Sequence, residues 1–156
     1  MQVDDYLDSI KKICLRNFDI KENFDLYGEK IDLFCECKIV NDRTFITKKD
    51  VVDSYLNHEY FIIKKYENID LNNLQNFCNI LKDSERKLVK ADYNHMSSFI
   101  VGVVVTDNSI SRDVKNCAKK FRYTKMYKLS LNGWTDIGLL LVDVSKKEVI
   151  SNRKGK

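Results

Sequence analysis

Residues 99–105, Phe-Ile-Val-Gly-Val-Val-Val, decide the fold of this chain, and the turn-forming run 106–109 closes them. A continuous apolar run of this length predicts a buried central strand in a parallel or mixed sheet. The next segment has one apolar face at helical spacing, formed by Ile110, Val114, Cys117, Ala118 and Phe121. A strand over 127–131 is predicted to follow, so that the three elements make a β-α-β unit.

The remaining periodicity predicts a helix, three strands, a short helix, a strand and a helix before residue 99, and a meander after residue 131. Asp70 is predicted to cap the second long helix. Asn132-Gly133 predicts a type I′ hairpin turn. The predicted elements are a helix over 3–18, strands at 24–26, 30–39 and 44–47, a helix over 49–56, a strand at 60–63, a helix over 71–88, and strands at 137–144 and 148–151.

In the second strand, strict alternation predicts that Ile31, Leu33, Cys35, Cys37 and Ile39 share one face. Taken together, the elements predict a single domain over residues 1–156 of the α/β (α+β) class. Its sheet is expected to be mixed, mostly antiparallel and flanked by helices.

Composition is that of an ordinary globular protein, with 44% hydrophobic and 32% charged residues. There is no apolar span of 18 residues, and the N-terminal segment is acidic where a signal peptide would be basic. We therefore expect a cytoplasmic protein without a membrane partner. The five cysteines lie inside apolar patterns, which predicts free thiols and no metal site.

Charge is unevenly distributed along the chain. Residues 1–59 carry 9 basic and 13 acidic side chains, whereas residues 60–156 carry 18 and 10. A net charge of +8 on the second part is compatible with an anionic partner.

One candidate catalytic group is the triplet Glu36-Cys37-Lys38, which places a carboxylate and an ammonium side by side on a strand. With a second acid, such a pair can bind Mg²⁺ and stabilise phosphoryl charge. Asp25 on the preceding strand is the predicted second acid, and Mg²⁺ would be the cofactor of such a site. The same triplet pattern recurs at Glu85 and Asp113, and a solvated strand face with cross-strand ion pairs is the alternative interpretation.

A second candidate is a basic and aromatic run near residue 120, because residues 112–128 hold seven basic groups against one acid. Lysine and arginine can neutralise phosphates, and tyrosine rings can stack on bases. The alternative is that the run solvates a helix end. The tail 151–156 adds three positive charges, either as a phosphate-binding arm or as a frayed end. The predicted nucleic-acid-binding residues are Lys119, Lys120, Arg122, Tyr123, Lys125 and Lys128.

Other polar residues favour structural roles. His95 is expected to make a structural hydrogen bond, and Trp134 to pack in a hairpin unless it is exposed, where it would mark a contact surface.

Two resemblances follow from these residues. The order of elements around Glu36 and the buried strand resembles that of PD-(D/E)XK restriction-endonuclease-like domains, which implies a related topology. The whole chain also resembles a small uncharacterised family of anaerobic archaea and bacteria, which implies no activity. The motifs that carry this second resemblance are Ile31-Asp32-Leu33, Phe45-Ile46-Thr47-Lys48-Lys49, His95-Met96-Ser97-Ser98, Phe121-Arg122-Tyr123, Gly133-Trp134-x-Asp136, Leu141-Val142-Asp143 and Asn152-Arg153-Lys154-Gly155-Lys156.

Two functions are therefore carried forward. The first is a nucleic-acid-binding domain with a degenerate or weak nuclease-like site at Asp25, Glu36 and Lys38. The second is a non-catalytic protein-interaction or dimerisation module, in which a homodimer would cover the sheet edges. The sequence has no concentrated set of catalytic residues, which favours a protein without enzymatic activity.

Overall fold

The computed structural model describes residues 2–44 and 51–156, and in these ranges three α-helices flank one seven-stranded sheet. The chain ends in a short 3₁₀ turn, Arg153–Gly155. The elements are α1 (Val3–Cys14), β1 (Asp19–Leu26), β2 (Glu29–Thr44), β3 (Val51–Lys65), α2 (Leu71–Leu88), β4 (His95–Thr106), α3 (Arg112–Lys120), β5 (Thr124–Met126), β6 (Trp134–Asp143) and β7 (Glu148–Ser151).

The sheet has the order β1-β2-β3-β4-β6-β5, and β7 also pairs with β6. The β3–β4 and β4–β6 pairs are parallel and the other four pairs are antiparallel. β5 pairs with the start of β6 and β7 with its end, so both lie on the side of β6 that faces away from β4. The predicted α+β class with a mixed, mostly antiparallel sheet is confirmed, whereas the restriction-endonuclease-like topology stays a prediction.

β4 is the buried central strand that residues 99–105 predict. Ile100 and Val104 belong to the apolar cluster that includes side chains of α2 and α3, whereas Val101 and Val103 belong to the cluster that includes α1. Both faces of the strand are covered, which explains a continuous apolar run without alternation.

Capping side chains set where two helices begin. Asp70 Oδ1 accepts a hydrogen bond from the backbone N–H of Asn73 at 2.7 Å, which confirms the predicted cap of α2. Ser111 Oγ accepts from the N–H of Val114 at 3.3 Å and caps α3.

Two predicted elements are wrong. The helix over 49–56 is replaced from Val51 onward by β3, which pairs with β2 as far as Thr44 opposite Val51. Residues 45–50 lie outside the described ranges, and with them most of the strand predicted at 44–47. The strand predicted over 127–131 is a turn, because residues 128–130 all have positive φ.

The predicted hairpin forms with a different loop. Met126 pairs with Trp134, and residues 127–133 connect β5 to β6. Asn132 is held away from a tight turn by distant contacts: its Nδ2 donates to the Ala91 carbonyl at 2.8 Å. The two-residue turn with positive φ at both positions is instead Tyr27-Gly28, at +56° and +92°.

Alternation along β2 is also broken. Ile31 packs with the cluster of α2, whereas Leu33 packs with the cluster of α1, so these two residues do not share the predicted face. Asn23, with φ of +46°, interrupts β1 beside this point. Cys14, Cys35 and Cys78 are buried free thiols, as predicted. No helix within the described residues is long and apolar enough to cross a bilayer.

Candidate functional site

The predicted nuclease-like trio is not assembled. Glu36 and Lys38 lie two positions apart on β2, but the residue opposite Glu36 on β1 is Asp19. Asp25 lies opposite Lys30, six register positions further along. At about 3.3 Å per residue, Asp25 and Glu36 are roughly 20 Å apart, too far to share one ion.

Each member of the trio has other neighbours. Asp25 Oδ1 accepts from the N–H of Gly28 at 2.8 Å, which stabilises the β1–β2 turn. Glu36 and Lys38 lie opposite Tyr60 and His58 of β3. Burial, and to a lesser degree the charge of Lys38, lowers the pKa of His58. Within the described residues, no group of three Asp, Glu, His or Cys side chains is placed to hold a metal ion.

A small cleft between α1 and strands β1–β3 does gather carboxylates, in a cavity of about 240 Å³. Its charges are already paired: Lys65 Nζ lies 2.9 Å from Asp4 Oδ1, and Lys11 pairs with Glu22. Asp32 accepts from the backbone N–H of Lys65 at 2.8 Å. These contacts join residues far apart in the chain, which periodicity alone does not reveal.

The predicted basic run divides into two groups. Lys119 and Lys120 are exposed in the last turn of α3. Arg122 is also exposed, and its guanidinium donates to the carbonyls of Lys119 and Phe121, both at 2.7 Å. These bonds satisfy carbonyl groups at the end of α3.

The second group surrounds Glu85 of α2, whose side chain is only 1% exposed. Its carboxylate accepts from the Tyr123 hydroxyl at 3.0 Å and also from the Tyr127 hydroxyl. Lys125 Nζ lies 3.2 Å from the same group. Tyr123 and Lys125 are thus held by an internal carboxylate, and this is a structural role that the sequence did not reveal. Lys128 is exposed in the 127–133 loop.

The basic pocket is a surface cavity of about 590 Å³, where the end of α3 meets the tail. Four of its lining residues are cationic and none is acidic; they are Lys119, Arg122, Arg153 and Lys156, with Ser151 as the fifth. The candidate list from the sequence contained the first two and omitted the tail residues. The arrangement can hold anions by charge and by hydrogen bonds.

Asn152 positions the tail side of this pocket, and its side chain is fully buried. Its Oδ1 accepts from the N–H groups of Leu139 and Gly155, at 2.9 and 2.8 Å. Its Nδ2 donates to the carbonyls of Ile137 and Phe121, at 3.1 and 3.3 Å. The tail is therefore docked on β6 and is not a frayed end.

The 127–133 loop presents a different surface. Leu129 and Leu131 are 95% and 81% exposed. The loop is anchored from below, because His95 Nδ1 donates to the Asn132 carbonyl at 2.6 Å while His95 Nε2 lies 2.8 Å from Ser98 Oγ. The expected structural hydrogen bond of His95 is confirmed. Because Ser98 is buried, this Ser–His pair is not open to a substrate.

Comparison with known proteins gives a family without an activity. No curated protein and no solved structure matches the chain. One family model matches residues 2–156, nearly the whole sequence, and its description is "Domain of unknown function (DUF8052)". The expected membership of an uncharacterised family is thus confirmed, and this chain belongs to the DUF8052 family.

Proposed function

We propose that this protein binds nucleic acid through the basic pocket. The observation that carries the proposal is the convergence of Lys119, Arg122, Arg153 and Lys156 on one cavity without a lining acid. Cations held together in this way attract phosphate groups, and releasing the counterions of a polyanion supplies free energy of binding.

Two further features support a built surface. Asn152 docks the tail with four hydrogen bonds, so less conformational entropy is lost when an anion binds. Lys154 of the same tail pairs with Asp136 at 2.9 Å, which neutralises the nearby carboxylate. The predicted order of elements, which resembles nuclease domains, adds support only by analogy.

The proposal includes no metal-dependent cleavage at Asp25, Glu36 and Lys38, because the sheet register keeps Asp25 away from the other two. Binding would occur on the opposite part of the sheet, around β6 and the end of α3. Of the six predicted contact residues, Lys119 and Arg122 are retained, Lys120 and Lys128 are peripheral, and Tyr123 and Lys125 are assigned to Glu85.

The test is binding of labelled DNA and RNA, single- and double-stranded, at about 50 and about 200 mM salt, with and without Mg²⁺. With four phosphate contacts on a single strand, log K should fall with log salt with a slope of about −3. The double variant Lys119→Glu, Arg153→Glu should weaken binding and make the slope shallower by about two.

A matched control is Lys12→Glu, Arg16→Glu, which makes the same change in net charge at exposed positions in and beside α1. This variant should bind like the wild type. Equal loss in both variants would mean that only net charge matters, and unchanged binding in the pocket variant would overturn the proposal.

A second candidate, a protein-interaction module, is favoured by the 127–133 loop. Leu129 and Leu131 project from a loop that is hydrogen-bonded internally, for example from Tyr127 N–H to the Gly133 carbonyl at 3.0 Å. Lys128, Leu129 and Ser130 have φ values of +47°, +53° and +72°, which are costly for residues other than glycine. Exposed apolar side chains on a strained, anchored loop are typical of a contact surface.

Light scattering at high concentration tests self-association through this loop. A dimer that dissociates in Leu129→Lys, Leu131→Lys would support the second candidate. The control Ile13→Lys, Leu15→Lys changes two residues near the end of α1 that are similarly exposed, and it should leave the dimer intact. A monomeric wild type would exclude self-association.

A further inference from the structure

Trp134, the only tryptophan of the chain, begins β6 close to the basic pocket. Its side chain is 39% exposed, so part of the indole ring faces solvent. Met126, directly opposite on β5, is also exposed and does not cover the ring completely.

The tail and Trp134 lie on the same face of β6. Side chains alternate along a strand, so Trp134, Asp136 and Gly138 share one face, while Thr135 and Ile137 point into the core on the other. Gly155 of the tail packs over Gly138, where an added Cβ would lie 3.1 Å from the Gly155 Cα. Lys154 reaches Asp136 on this same face.

The indole is therefore near the pocket. Trp134 is two residues, or about 7 Å along the strand, from the Asp136–Lys154 pair. Arg153 and Lys156, on either side of Lys154 and Gly155, line the pocket itself. An aromatic face and a group of cations beside it are the two components that hold a single-stranded nucleic acid, by stacking a base and neutralising the backbone.

We propose that the ligand is single-stranded nucleic acid, with its phosphates in the basic pocket and an unpaired base stacked on Trp134. This inference rests on the proposed function and narrows it. A duplex keeps its bases stacked on one another and presents only phosphates and groove edges, so it cannot use the indole face without opening.

The intrinsic fluorescence of Trp134 gives a direct test. A single-stranded oligonucleotide of about 12 nucleotides, within the usual site size, should quench the emission as it binds. Inorganic polyphosphate, which has no bases, should compete for the pocket without comparable quenching. A duplex of the same length should bind more weakly and leave the emission nearly unchanged.

Substitutions complete the test by fluorescence anisotropy of a labelled strand. Trp134→Ala should weaken single-strand binding about fivefold or more while the salt slope and polyphosphate competition stay the same. Trp134→Phe should recover part of the affinity, since an aromatic face remains. Leu131→Ala, an exposed apolar residue on the adjoining loop, serves as the control and should bind like the wild type.

The outcomes separate the two proposals. If neither oligonucleotide nor polyphosphate binds, the proposed function fails and the inference with it. If both bind through Lys119 and Arg153 but Trp134→Ala has no effect, or if the duplex binds and quenches equally well, the inference alone is overturned. A thermal melt of each variant establishes that it is folded.

Discussion

The Oδ1 atom of Asn152 accepts a hydrogen bond from the backbone N–H of Leu139 at 2.9 Å, and this buried contact attaches the basic tail to β6. Removing the side chain in Asn152→Ala would leave buried backbone groups of β6 without partners. We expect a loss of about 3 kcal/mol in the free energy of unfolding, measured by urea denaturation.

Asn152→Asp is the sharper form of this test. It keeps the shape and the Oδ1 acceptor but turns a carboxylate oxygen toward the carbonyls of Ile137 and Phe121. It should destabilise the protein at least as much as alanine does at neutral pH, and should make the salt slope of nucleic-acid binding shallower. A stable variant with unchanged binding would contradict the role given to this residue.

The buried tyrosines predict alkaline instability. Burial raises the pKa of Tyr60 and Tyr66, and burial together with Glu85 raises that of Tyr123, from 10.0 to about 12 in each case. The pKa of Tyr127 is raised by the same two causes. A pKa raised in the folded state gives stability that is complete below about pH 10 and is lost as the pH rises through 12.

Urea denaturation at several pH values measures this loss, and tyrosinate absorbance follows the ionisation. Glu85→Gln should lower the pKa of Tyr123 toward its usual range, because the neighbouring negative charge is removed while burial remains. Glu29→Gln, at an exposed position on β2, is the control for Tyr123 and should leave its titration unchanged. An unchanged Tyr123 titration in Glu85→Gln would show that the hydrogen bond does not form in solution.

Much of the fold could be predicted because local patterns and tertiary contacts agree. The apolar run 99–105 is buried on both faces, and Asp70 caps α2 as its position predicts. The predictions failed where distant contacts decide. Residues 51–56 extend β3 because β2 is long enough to pair with them, and Asn132 is held by Ala91 and His95, so the tight turn predicted there does not form.

The candidate site was predicted in part for a similar reason. A charge run identifies Lys119 and Arg122, but only the fold brings Arg153 and Lys156 beside them. The same run gave no sign that Lys125 turns inward to Glu85, since the partner lies 40 residues earlier. Register decides the fate of the predicted trio: a difference of six positions separates Asp25 from Glu36, and the strand pattern of each alone does not specify it.

Asp25 is expected to act as a turn residue. Asp25→Asn retains an oxygen that can accept from Gly28 and should preserve stability, whereas Asp25→Ala should cost about 1 kcal/mol. Calorimetric titration with Mg²⁺ should give the same result for the wild type and for Glu36→Gln. A metal-binding signal lost in both Asp25→Asn and Glu36→Gln would show instead that the two carboxylates converge.

Gly102 allows α2 to pack closely on the centre of β4. A Cβ at this position would lie 2.8 Å from Leu81 Cδ2 and 2.9 Å from Phe77 Cε1, so Gly102→Ala should destabilise the protein by about 1–3 kcal/mol. Leu81→Ala should cost about 2–5 kcal/mol through the cavity it leaves. In the double variant the new methyl group occupies part of that cavity, so the loss should be at least about 1 kcal/mol smaller than the sum of the two.

Urea denaturation of the four proteins measures this coupling. Val149→Ala, at an exposed position on β7, replaces Gly102→Ala in a control cycle and should be additive with Leu81→Ala within about 0.5 kcal/mol. Additivity in the Gly102 cycle as well would contradict direct contact between β4 and Leu81. Because α2 also carries Glu85, a shift of this helix in Gly102→Ala should lower the pKa of Tyr123 in the same way as Glu85→Gln.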